Sequence, residues 1–112
     1  MNSTKNNNHD EMIPLKFHLS QNYPNPFNET TIIKYCVAYR TKVRITIFNS
    51  EGEMIEKILD EEKNAGTYEI EFNACQCQSG RKRALTGGTY IYELNAGDYT
   101  NTKKMIVLYS NN

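Results

Sequence analysis

Residues 87–109 read GGTYIYELNAGDYTNTKKMIVLY, and the rest of the chain is read outward from them. Tyr90, Tyr92 and Leu94 alternate with Ile91, Glu93 and Asn95, the period-2 pattern of a strand with one buried face. Asn95, Ala96, Gly97 and Asp98 follow, a turn signal in which Gly97 can take a positive φ without a Cβ clash. A second extended run climbs from Tyr99 to the apolar block Met105-Ile106-Val107-Leu108. Two strands across a glycine-containing turn make a β-hairpin. The block carries no polar residue on either face, so it requires cover on both sides or a neighbouring strand. A lone hairpin is marginal in water, and the preceding residues must supply its partners.

Upstream, the same period recurs. Tyr68, Ile70 and Phe72 alternate with Glu69 and Glu71; Val43, Ile45 and Ile47 alternate with Arg44, Thr46 and Phe48; Thr31, Ile33, Tyr35 and Val37 share one face. Leu15, Phe17 and Leu19 suggest a short edge strand. Asn49-Ser50-Glu51-Gly52 is a turn signal. In residues 53–59, Met54, Ile55, Ile58 and Leu59 fit helical spacing as well as a strand. Seven residues is short for a helix, so a bulged strand is expected. Residues 60–65 read as a charged, exposed connection closed by Gly66, and residues 73–83 as an irregular polar one. Pro24 and Pro26 fix φ near about −65° and hold Tyr23 and Asn25 extended. This stiff segment is expected to plug Tyr23 and Phe27 into the domain. Six or seven short strands separated by turn signals imply an all-β, immunoglobulin-like antiparallel β-sandwich of about seven short strands.

The 112 residues suit one domain. Residues 1–14, Asn-rich and polar, are expected to be a disordered lead-in, and residues 15–112 the β-sandwich. Eight Tyr against four Phe and no Trp suit a thin sandwich whose aromatics keep a polar tip near the rim. Thirteen basic and thirteen acidic residues cancel, so no global field points to nucleic acid or an anionic membrane. No apolar run reaches the roughly 18–20 residues of a membrane span, and no membrane insertion is expected. Residues 1–12 contain no apolar segment of a secretory signal peptide. Three cysteines do not make a disulfide framework.

Little in the chain carries chemistry. Cys75 and Cys77 form a C-x-C pair, but zinc sites use wider spacing and four ligands, which Cys36, His9 and His18 do not complete. Arg81-Lys82-Arg83 fits a solvated loop better than a phosphate site in a neutral chain. There is no nucleophile elbow, no Ser/His/Asp order and no glycine-rich phosphate loop. The expectation is a non-catalytic module with no metal and no cofactor. One class of binder is a carbohydrate-binding or adhesive β-sandwich that sets Tyr39, Tyr99 or Tyr109 against sugar faces.

The other class comes from a resemblance. Leu19-Ser20-Gln21-Asn22-Tyr23-Pro24-Asn25-Pro26-Phe27-Asn28, followed by Thr31-Ile32-Ile33-Lys34-Tyr35, resembles the opening of a type A C-terminal sorting domain of the type IX (Por) secretion system. The likeness continues in order through Val43 to Asn49, the Gly52 turn, Ala65-Gly66, and Leu85-Thr86-Gly87-Gly88-Thr89-Tyr90-Ile91-Tyr92-Glu93-Leu94. It ends on Lys104-Met105-Ile106-Val107-Leu108. Gly87 stands where Ser is usual, and residues 72–77 replace the usual aromatic-Asp-Gly segment.

The resemblance implies a sandwich carried behind secreted cargo. Outer-membrane translocation machinery would recognise it, a sortase-like protease would remove it, and the cargo would be anchored at the surface or released. The implied sorting motif comprises Pro24, Asn25, Pro26, Phe27, Asn28, Gly52, Gly66, Gly88, Tyr90, Tyr92, Leu94, Gly97, Lys104, Met105 and Leu108. Such a domain normally follows a cargo domain and a signal peptide, neither of which is visible in these residues. That is the expectation for a C-terminal fragment or a separate reading frame.

Overall fold

The structure, a computed structural model, describes residues 14–74 and 85–108. The alternating segments become seven strands: β1 (His18–Leu19), β2 (Thr30–Val37), β3 (Thr41–Asn49), β4 (Met54–Lys63), β5 (Gly66–Asn73), β6 (Gly88–Ala96) and β7 (Tyr99–Val107). They form a three-stranded sheet of order β1-β2-β5 and a four-stranded sheet of order β4-β3-β6-β7. Every pairing between these strands is antiparallel. The described residues contain no helix.

β2 and β6 bury one alternate set of side chains along their length, as period 2 requires, and β3 and β7 do so over part of theirs, whereas β4 buries only Glu56. Ile33, Tyr35 and Val37 of β2 meet Val43, Ile45 and Ile47 of β3, with Tyr90, Tyr92 and Leu94 of β6 and Met105 and Val107 of β7. All are at most 6% exposed. Burying an aliphatic or aromatic side chain of this size contributes about 1.5–3 kcal/mol, so this shared layer holds the two sheets together. The β6–β7 hairpin turns through Gly97 and Asp98, with Ala96 opposite Tyr99. Gly97 has φ +59°, the positive value that a tight hairpin turn of this kind needs at its first central residue.

Three expectations change. The strand expected over Leu15 to Leu19 is reduced to His18–Leu19, and Leu15 is 95% exposed. Tyr23 does not plug into the domain: it is 79% exposed, whereas Phe27 is buried. Residues 60–63 are not a connection but the second half of β4. Their charges serve the sheet, because Lys42, Arg44 and Lys57 all lie 3.3–3.6 Å from Asp60. Partial desolvation pulls the Asp60 carboxyl upward, but the Lys57 hydrogen bond and the three cations outweigh it and hold the group below its ordinary range. The terminal apolar block meets its requirement through a neighbouring strand, since residues 105–107 pair along β6, and it is covered on one face only. Met105 and Val107 point inward, while Ile106 and Leu108 are 42% and 41% exposed.

The bulge expected in β4 is present. Register shifts fall between Ile45 and Thr46 and between Ile47 and Phe48, leaving Ile58 and Ile55 as the extra residues. Two added residues explain why the apolar positions of β4 imitate a helical spacing.

Candidate functional site

The proline-rich segment does not behave as a strand of either sheet, because Pro24 and Pro26 offer no N–H for a ladder. It crosses between them instead. Ser20 N–H donates to Lys34 C=O at 3.0 Å, and Tyr23 exchanges both backbone bonds with Ile32, at 3.0 and 2.9 Å. Four residues later the chain has reached the other sheet. Phe27 N–H donates to Ile106 C=O at 3.1 Å, and Leu108 N–H donates to Phe27 C=O at 2.8 Å. This is a parallel bridge of Phe27 to Val107. Residues 20–28 are thus a strap from β2 to β7, with cis peptide bonds at Tyr23-Pro24 and Asn25-Pro26.

Asn22, only 2% exposed, fastens the strap. Its N–H donates to the Tyr92 hydroxyl at 2.7 Å, and that hydroxyl donates to Ser20 C=O at 2.6 Å. Its side-chain amide donates to Thr31 Oγ1 at 2.9 Å and Pro24 C=O at 3.2 Å, and Thr31 Oγ1 donates to the same carbonyl at 2.8 Å. Burial pushes the Tyr92 hydroxyl up to about 12, although the Asn22 bond acts in the opposite sense. Buried polar groups persist when their partners are all supplied, and here the partners come from β2, β6 and the strap. Phe27 completes the fastening, its ring edge-on to Phe72 at 6.4 Å.

The strap also closes the outer edge of β7. An edge strand turns alternate N–H and C=O groups outward, where they can pair with another chain. Gln21 Nε2 donates to Lys104 C=O at 2.6 Å, Asn25 Oδ1 accepts from Ile106 N–H at 2.9 Å, and Asn101 Oδ1 accepts from Thr102 N–H at 2.9 Å. Three side-chain carboxamides and the Phe27 backbone stand where a neighbouring strand would be.

The structure therefore gathers Pro24, Asn25, Pro26, Phe27, Tyr92, Lys104 and Leu108 into one region. Tyr90, Leu94 and Met105 are core residues of the strands beneath it, and Asn28 is exposed at its end. Gly88 opens β6 and Gly66 opens β5. Gly52 lies in the β3–β4 turn and Gly97 in the β6–β7 turn, outside the strap. Gln21, Asn22, Thr31 and Asn101 hold the strap and edge together, although the implied sorting motif does not include them. The available signal was the amide run flanking two prolines, where side chains must replace the missing backbone donors.

A second cluster lies around Phe17. Its ring meets Tyr39 edge-on at 5.0 Å and stacks on Tyr99 at 5.5 Å, beside an open cleft of about 660 Å³ that Leu15, Lys16 and Asp98 also line. Tyr109, Cys75, Cys77 and Arg81-Lys82-Arg83 lie outside the described residues. Cys36 is half-buried on β2 with Sγ 3.8 Å from Thr67 Oγ1. Among the described residues no three His, Cys, Asp or Glu side chains are grouped to hold a metal ion, and no helix is long and apolar enough to cross a membrane.

The family model of the secretion system C-terminal sorting domain matches residues 21–108, from the first strap amide to the last residue bonded to Phe27. The chain belongs to this family. It is a type IX sorting domain. Among solved structures, the crystal structure of dimeric latent PorU from Porphyromonas gingivalis is similar, with a TM-score of 0.59 and 19% identity. The match covers 90% of the sorting domain's chain and 10% of that chain. At this identity the likeness establishes the fold alone. No curated protein matches the chain.

Proposed function

We propose that residues 15–112 form a non-catalytic domain that directs attached cargo across the outer membrane through the type IX machinery, for anchoring at the surface or release. The cargo precedes the domain, and the partners are the translocation proteins and a sortase-like protease. The strap (Pro24, Asn25, Pro26, Phe27, Asn28) and the terminal strand (Lys104, Met105, Leu108) act as one recognised unit, braced by Tyr90, Tyr92 and Leu94. Gly52, Gly66, Gly88 and Gly97 shape the turns and strand starts that present it. The supporting observation is the run of bonds joining Gln21, Asn25 and Phe27 to Lys104, Ile106 and Leu108. Motifs about 80 residues apart in sequence become adjacent in space, so the signal is a folded object.

The test fuses residues 15–112 behind a reporter with a signal peptide in a cell that has a type IX system. Delivery to the surface or medium, lost when residues 104–112 are removed, is expected. A folded reporter held in the periplasm overturns the reading. The Phe17–Tyr39–Tyr99 cluster favours a second reading, glycan binding, since aromatic faces and polar tips around a cleft suit a sugar. Saturable binding lost in Tyr39→Ala would support it, and silence across a broad glycan panel would remove it.

A further inference from the structure

The outer face of the four-stranded sheet is divided in character. Directly opposed residues of neighbouring strands share a face. The pairs Met54 with Phe48, Phe48 with Ile91, and Ile91 with Lys104 therefore run across all four strands. Ile106, opposite Thr89, and Leu108 continue the row along β7, at alternate positions of the strand. Met54 is 62% exposed and Ile106 and Leu108 about two-fifths, with Phe48 and Ile91 half-buried.

At the other end the same face is polar, and its cations lie against carboxylates. Asp60 serves Lys42, Arg44 and Lys57, and Glu62 lies 2.8 Å from Arg40. Lys104 differs. It sits inside the apolar row, exposed, with no carboxylate within 4.0 Å among the described residues.

We propose that this row is the face by which the sorting domain docks on the export machinery, and that the partner presents an apolar strip carrying a carboxylate that meets Lys104. The inference rests on the sorting reading above and specifies its surface. Contiguous exposed hydrocarbon marks interaction sites, and a charge pair within such a contact sets register and excludes wrong partners. Among the described residues the other cations of this face, Lys42, Arg44 and Lys57, are paired within the domain, whereas Lys104 is not. Met54 and Phe48 also lie far in sequence from the terminal strand, so the row separates recognition of a folded surface from recognition of a linear tail.

The experiment uses the same reporter fusion with Met54→Glu, Lys104→Met and Lys104→Arg, alongside thermal melts and sedimentation of each isolated domain. Met54 is a surface side chain, and its variant is expected to melt as the parent does while export falls at least about tenfold, the loss expected where a hot-spot contact is replaced by a charge. Lys104→Met is expected to fall similarly and Lys104→Arg to retain export. Parental export of a folded Met54→Glu fusion would show that a linear tail is read and would overturn the proposal. Parental export of Lys104→Met would remove the carboxylate. A stable dimer broken by Met54→Glu would assign the row to a second copy instead. Periplasmic retention of the parent fusion would overturn the sorting reading itself, and this inference with it.

Discussion

The Tyr92 hydroxyl holds the backbone on both sides of Gln21, donating to Ser20 C=O at 2.6 Å and accepting from Asn22 N–H at 2.7 Å. One phenol thus ties β6 to a segment 70 residues upstream. Because Asn22 and Tyr92 are both buried, water does not readily replace the bond. The strap is therefore sensitive to a single oxygen atom.

Tyr92→Phe should leave the ring packing intact and strand two backbone groups. A buried group left without its partner costs about 1–3 kcal/mol, and in a domain of this size each kcal/mol lowers the Tm by about 4–8 °C. Thermal and urea melts measure this directly. A variant as stable as the parent would mean that solvent reaches the Ser20–Asn22 corner.

Alkaline pH should weaken the fold through two tyrosines. Burial pushes Tyr92 up to about 12, partly opposed by the Asn22 bond. Burial does the same to Tyr35, with Tyr68 and Glu61 adding to it. In the unfolded chain both ionise near the ordinary value of 10.0. Between about 10 and 12 the folded state therefore binds more protons than the unfolded one, and stability falls as pH rises. Below that window these groups contribute no slope. Urea midpoints measured across it should decline, and less steeply in Tyr92→Phe. A flat profile would show that neither phenol is protected.

The strands were legible because one-sided burial writes itself as alternation: Tyr90, Tyr92 and Leu94 are inward on β6 as their spacing requires. Ends and edges were less so. Residues 60–63 of β4 carry charge on an edge strand, where ion pairs and protection against aggregation favour it, and that composition imitates a turn. Tyr23 imitates a core aromatic, but the strap lays it outward and gives the buried place to Phe27. The Asn22–Tyr92 bond has no local signature, since its partners meet only after the two sheets pack.

The carboxamide caps on β7 predict a local effect in place of a global one. Asn25→Ala removes the acceptor of the Ile106 N–H, but this bond is exposed and water can substitute, so the cost belongs near the low end of about 0.5–1.5 kcal/mol. Hydrogen exchange should show it more clearly. The Ile106 amide is expected to exchange faster, while the amides of β3 keep their protection. Unchanged exchange at Ile106 would mean that the strap backbone alone shields the edge.

The hairpin turn gives the sharpest backbone test. Gly97 combines φ +59° with little room, since an added Cβ would lie 3.3 Å from Thr41 Oγ1 and 3.6 Å from the Tyr39 hydroxyl. A β-branched side chain at positive φ is strained, and holding it there costs about 1–3 kcal/mol. Gly97→Val should therefore lower the melting temperature clearly. Gly97→Asn should lower it less, because Asn tolerates the left-handed region, and that ordering separates backbone strain from simple crowding. Equal losses for Val and Asn would assign the effect to contact with Thr41. A parental melt for Gly97→Val would place the β6–β7 turn elsewhere.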